Sequence, residues 1–209
     1  HRQPQFYRVR DRMALFGSRR ERRLWLATAA LFGLVCGVIY PAPYALEFLR
    51  ERNLLRLTVA GILLCALVAM TSWIVRQHPG KQEWALLGAF AAVYAAIFWL
   101  LPVPQERLHF VEYGAIASLA YAALRERESA RGHSRQRSWR TAVWGPEAIA
   151  IYLTTLLGWA DEGIQALVPN RYYDLRDVGF NALAAVLAVT IAYWRRRVRA
   201  ADGSSRVPA

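Results

Sequence analysis

Two stretches without a single charge, Leu57–Val75 and Trp84–Leu101, constrain this chain more than any other feature. Each is long enough to cross bilayer hydrocarbon as a helix, which takes roughly 17–25 apolar residues. Only a short connection holding Arg76 and Lys81 separates them. A soluble globular enzyme has no use for such a pair, so the sequence reads as a polytopic membrane protein.

Four further segments extend the pattern, giving six expected spans at about 24–40, 54–75, 84–101, 108–124, 147–168 and 178–194. All should be helical, because hydrocarbon offers no partners to open backbone groups and a helix satisfies its own. The expected fold is therefore an all-α transmembrane bundle. The fourth span contains His109 and Glu112, and the fifth is apolar only from Ala148 to Ala160 before continuing as a polar turn. Pro146 suits the first turn of that helix, where its missing N–H donor is not needed. The chain divides into a basic segment 1–23, two helices and a loop over 24–83, a four-helix region over 84–197 and a tail 198–209. Basic residues ahead of Leu24–Tyr40 look like the front of a signal sequence, but no small-x-small cleavage site follows, so the segment is read as a retained helix. The opening residue, His1, leaves the native start open.

The 27 Lys and Arg against 15 Asp and Glu leave a formal charge of +12, and every basic residue except Lys81 is arginine. Eight arginines lie in 1–23, Arg76 and Lys81 follow span two, six lie between spans four and five, and five follow Trp194. By the positive-inside rule these alternate segments are cytoplasmic, which places both termini there and agrees with an even number of spans. Anionic lipid on that face is the partner such clusters attract. Nucleic acid is not, since no aromatic-interleaved basic motif or helix-turn-helix pattern is present. Segments 125–140 and 195–209 are expected to be flexible where they leave the membrane.

Cys36 and Cys65 both sit inside apolar runs and read as packing residues rather than a disulfide. Gly33 and Gly37 form a GxxxG pair, with Gly88–Ala92 and Gly114–Ser118 as weaker versions. Such spacing lets helices approach closely, either within the bundle or against another membrane subunit. Trp25, Trp99, Trp159 and Trp194 lie near predicted helix ends, as interfacial anchors should.

The polar residues gather at the other side. His109, Glu112 and Tyr113 share one helix face at i, i+3 and i+4, just after Glu106 and Arg107. Span five ends in Asp161, Glu162 and Gln165, the next loop carries Arg171 and Asp177, and span six opens with Asn181. These groups form either a network pinning the helix ends or a polar, outward-facing pocket. No metal site is expected, because His109 is the one membrane-embedded histidine of four and no cysteine lies near it. No cofactor is expected either.

The stretch Glu106-Arg107-x-His109-Phe110-x-x-Tyr113 resembles a signature of the VanZ-like family of bacterial membrane proteins. Asp161-Glu162-x-x-Gln165, Pro169-x-Arg171 and Asp177-x-x-x-Asn181 are similar to that family's later motifs, in order, so the resemblance covers about residues 84–197. Asn170 replaces the usual glycine before the arginine, and Ala184 replaces a small glycine after the asparagine. The resemblance implies an integral protein of the bacterial inner membrane, associated with the cell envelope. Three functions follow from the whole reading. The first is non-catalytic binding of a lipid or envelope-precursor headgroup, with Arg107 and Arg171 on phosphate and the acids and Gln165 orienting it. The second is an accessory subunit of a respiratory or photosynthetic complex, docked through the Gly33/Gly37 face. The third is an enzyme acting on a lipid-linked substrate with His109 or an acid as general base. The last is disfavoured by the lack of a nucleophile elbow, an HExxH pair or a glycine-rich phosphate loop.

Overall fold

The structure, a computed structural model, describes residues 16–101, 103–130, 144–169 and 171–204. Among them are seven helices and no strand: α1 (Arg19–Ile39), α2 (Ala42–Glu51), α3 (Leu55–Val75), α4 (Lys81–Leu100), α5 (Pro104–Ala130), α6 (Pro146–Gln165) and α7 (Leu175–Ser204). The described residues form an all-helical fold, as expected. Helices α1, α3, α4 and α7 contain stretches long and apolar enough to cross a membrane, by length and composition.

Several boundaries differ from the sequence reading. Helix α2 was not anticipated; Pro41 is its N-cap and Pro43 sits in its first turn, where a missing N–H costs nothing, and Asn53 then takes a left-handed φ of 56° before α3, a conformation asparagine adopts more readily than most residues. Helix α6 stops at Gln165 rather than 168. Helices α5 and α7 run through 125–130 and 195–204, stretches expected to be flexible, because ion pairs described below hold them. Residues 131–143 and 205–209, the rest of those stretches, lie outside the described residues, as does 1–15 of the basic leader.

Local chemistry explains the helix starts. Ser18 caps α1, its Oγ accepting from the Glu21 N–H at 3.0 Å, while the Glu21 carboxylate accepts from the Gly17 N–H at 2.5 Å. This is a Ser-x-x-Glu capping arrangement. Pro146 opens α6 at its first turn, as read from the sequence. In α1, α5 and α6 the hydroxyls of Thr28, Ser118 and Thr155 donate to the carbonyl one turn earlier, at 2.9, 2.8 and 2.9 Å, which spares them an unpaired donor in apolar surroundings.

Helix α5 is the hub. It packs most extensively on α7, then on α1 and α6, and α6 packs along α7. Helix α4 leans on α7 and α3 touches α5, so these two form an outer layer. The interior is made of small residues: Ala117, Ala120, Ala150, Ala185 and Ala188 with Tyr121 and Val189 form one cluster. Val35, Phe110, Tyr113, Ile116 and Ala184 form another, into which Tyr94 and Phe98 of α4 reach with edge-on ring contacts to Phe110. Val35 belongs to α1, so α1 helps build the same core as the 84–197 region. Large apolar side chains point outward, including Leu57, Leu64, Leu67, Trp73 and Trp99. Val59 alone is buried in α3, and Glu83 alone in α4. Small inside and greasy outside is the arrangement of a bundle solvated by lipid.

Of the small-residue pairs, only one packs within the chain. A Cβ on Gly114 would lie 3.6 Å from the Tyr94 hydroxyl and 3.8 Å from Ala188, whereas nothing lies within 4 Å at Gly33, Gly37 or Gly88. Trp99, Trp159 and Trp194 are exposed near helix ends; Trp25 instead lies partly buried against the core.

Candidate functional site

Helices α5 and α7 begin, and α6 ends, at the same end of the bundle. Those three termini bring together most of the polar residues singled out in the sequence, in two layers.

The inner layer is fully buried. Asp161, Glu162, Gln165 and Asn181 are each at most 3% exposed and Tyr113 is wholly enclosed. The Gln165 amide donates to Asp161 Oδ2 at 3.2 Å and to Glu162 Oε1 at 3.0 Å. The other Glu162 oxygen accepts from the Asp174 backbone N–H at 3.1 Å, tying the α6–α7 loop to α6. The Tyr113 hydroxyl lies beside the Asp161 carboxylate, within reach of a side-chain hydrogen bond to it. Helices α6 and α7 touch at Gly158, where a Cβ would sit 2.9 Å from the Asn181 Cβ. Thr154, one turn deeper on α6, is also buried. Both amide atoms of Asn181 and the Thr154 hydroxyl have no hydrogen-bond partner among the described residues. Each such group costs about 1–3 kcal/mol if left unpaired.

The outer layer is half-buried. His109 Nδ1 is 3.5 Å from Glu112 Oε2. The same imidazole lies within electrostatic reach of Glu162 and Asp177, so one histidine faces carboxylates from three helices. Arg171 and Arg176 face Asp177. Glu106 caps the start of α5 through the Val103 N–H; burial, and then the Asp177 charge, push its carboxyl above its ordinary range. Asp174 Oδ1 accepts from the Arg176 N–H at 2.8 Å, starting α7.

Arg107 does not join this group in the same way. Its Nε and Nη2 donate to the Leu101 carbonyl at 3.2 and 2.8 Å, closing the end of α4. It lines a shallow recess with Ala95, Phe98 and Trp99 on the outside of the bundle. Of the two arginines expected on phosphate, Arg171 is therefore the one beside the acids.

The opposite, arginine-rich end holds ion pairs the sequence reading missed. Glu83, 1% exposed, accepts from Arg199 Nε at 3.0 and 2.8 Å and from Arg195 Nε. Arg195 also donates to Gln77 Oε1 at 3.1 Å and lies over the Trp73 ring. Glu21 pairs with Arg127 at 3.3 Å, Ser18 donates to Glu126 at 3.0 Å, and Tyr121 donates to Glu147 at 3.1 Å. Arginines read only as topology signals thus also fasten helices. The i, i+4 spacing of Arg195 and Arg199 was the available signal. Among the described residues, no group of three or more His, Cys, Asp or Glu is placed to hold a metal ion. Cys36 and Cys65 are free thiols.

In comparisons with protein-family models, curated proteins and solved structures, nothing matches the chain.

Proposed function

We propose that this is a six-span, VanZ-like protein of the bacterial inner membrane, both termini cytoplasmic, whose acid end binds the headgroup of a lipid or lipid-linked envelope precursor without acting on it chemically. Six long helices alternating in direction, with the arginine clusters at one end, support the topology. The buried polar residues of α6 lie where it packs on α5 and α7, while its Tyr152, Leu156 and Trp159 are exposed.

One observation carries the binding reading: half-buried His109 and Glu112 of α5, Asp177 of α7 and Arg171 of the α6–α7 loop gather beside the buried Glu162 of α6. Acids outnumber the two arginines there, Arg171 and Arg176, so the best-matched headgroup is zwitterionic and amine-bearing, its ammonium among the carboxylates and its phosphate on the planar guanidinium of Arg171. Gln165 holds Asp161 and Glu162 in place rather than contacting the headgroup.

Native mass spectrometry after mild detergent extraction tests this. Wild type should retain an amine-bearing lipid, and Glu112→Gln with Arg171→Ala should lose it. Arg107→Ala, which removes a bond to Leu101, should retain it. Equal retention by wild type and the double variant refutes the reading. An accessory-subunit role is the second reading, favoured by the uncovered Gly33/Gly37 face of α1; a lone chain of its own mass in the same spectra argues against it.

A further inference from the structure

Arg107 stands apart from the acid cluster, in surroundings of its own. It is half-buried, and among the described residues no carboxylate lies within 4.0 Å of its guanidinium. One edge of the planar fork is engaged: Nε and Nη2 both donate to the Leu101 carbonyl, at 3.2 and 2.8 Å. Those bonds fix the plane of the group and leave Nη1 without an acceptor among the described residues. The guanidinium lines a recess of about 450 Å³ on the outside of the bundle, together with Ala95, Phe98 and Trp99. These three lie at i, i+3 and i+4 in the last turns of α4. Ala95 and Trp99 are exposed, and Phe98 is held edge-on against Phe110. Helix α4 is long and apolar enough to cross a membrane, so the recess sits at the end of a candidate span.

We infer that this recess binds an anionic phospholipid, its phosphate on the Nη1–Nη2 end of Arg107 and one acyl chain laid along Ala95 and Phe98. A charge at the end of a span needs a countercharge or water, and lipid phosphate supplies the first at that depth. The guanidinium fork takes two phosphate oxygens in parallel. Its orientation is already set by the Leu101 bonds, so little freedom is lost on binding. Below the charge the walls are a methyl group and aromatic rings, which suit a hydrocarbon chain and give a free inorganic anion nothing to hold. Trp99 sets an indole beside the charge, and tryptophan favours the level of lipid headgroups. No carboxylate is at hand to meet an ammonium, so a lipid of net negative charge fits better here than a zwitterionic one. This site rests on α4 crossing the membrane, and not on headgroup binding at the acid cluster.

The test is native mass spectrometry of the purified, delipidated full chain titrated with phosphatidylglycerol or with phosphatidylethanolamine. Arg107→Ala should bind phosphatidylglycerol about tenfold more weakly than wild type, the loss of one charge-assisted contact, with phosphatidylethanolamine binding unchanged. Ala95→Phe should weaken phosphatidylglycerol in the same way. That variant fills the recess from an exposed position and keeps the Leu101 bonds, so the test stays readable if Arg107→Ala disturbs the turn between α4 and α5. Glu112→Gln with Arg171→Ala should leave phosphatidylglycerol binding intact, which separates this site from the acid cluster. A large excess of inorganic phosphate should not displace the lipid. No phosphatidylglycerol bound by wild type, or undiminished binding in either recess variant, overturns the assignment. So does displacement by inorganic phosphate, or loss of phosphatidylglycerol in the acid-cluster variant.

Discussion

At the scale of single residues, the face His109-x-x-Glu112-Tyr113 was legible from spacing, and the structure places all three at the acid end. What spacing did not show is that the three part company there: Tyr113 turns inward to Asp161, while His109 and Glu112 stay in the half-buried mouth. A few tens of degrees of helix rotation separate those fates, and only neighbours fix it. Gly158 is the clearest case of a residue whose role depends on its neighbour. In the sequence it is one more small residue; in the fold a Cβ there would meet Asn181 Cβ at 2.9 Å and Nδ2 at 3.0 Å. The Cβ of Asn181 cannot swing aside without moving α7. Gly158→Ala should therefore cost about 1–3 kcal/mol through overpacking, whereas Gly163→Ala, with nothing within 4 Å, should not destabilise. Midpoints of denaturant titrations of the two variants decide this.

At the scale of elements, α4 shows how an almost wholly lipid-facing helix is held. Apart from Glu83 it buries no residue fully, and Tyr94 and Phe98 give it one aromatic contact with α5. The second fastening is the pairing of Glu83 with Arg195 and Arg199, i and i+4 on α7. An enclosed carboxylate with two guanidiniums is expensive to break, because loss of the acid leaves two cations facing each other. Glu83→Gln should destabilise the bundle by roughly 3 kcal/mol, while Arg197→Ala, on an exposed arginine of the same helix, should stay within about 0.5 kcal/mol. Thermal unfolding in detergent measures both. The pair was hidden in the sequence because Glu83 and Arg195 lie far apart along the chain, and nothing in the 81–101 segment says which helix it meets. The same holds for α2: its residues offer no long apolar run, and only Pro41, Pro43 and Asn53 mark its ends.

At the scale of the whole molecule, the alternation of six long helices puts the arginine clusters at one end and the acids at the other. The positive-inside rule then predicts the arginine-rich end on the cytoplasmic side, since translocating clustered arginines is the costlier choice. In a background with Cys36 and Cys65 replaced by serine, Tyr172→Cys should react with a membrane-impermeant maleimide on intact cells, and Glu128→Cys only after permeabilisation. Both side chains are exposed in the structure. The reverse pattern would invert the protein, and with it the side on which the acid end lies.

The sequence by itself determined the helical class and which segments are greasy enough for lipid, because those depend on composition along a single stretch of chain and on a backbone that must satisfy itself in oil. It also determined that acids and amides collect at three helix ends, since alternating direction follows from the order of the segments. The tertiary structure alone decided which of those groups face inward and which line the mouth, that Arg107 closes α4 while Arg171 stays with the acids, and that Glu83 joins α4 to α7. Each of these depends on how one helix is rotated against another, and that rotation is set by close packing of small side chains such as Gly158 and Ala188, for which no local pattern in the chain stands proxy.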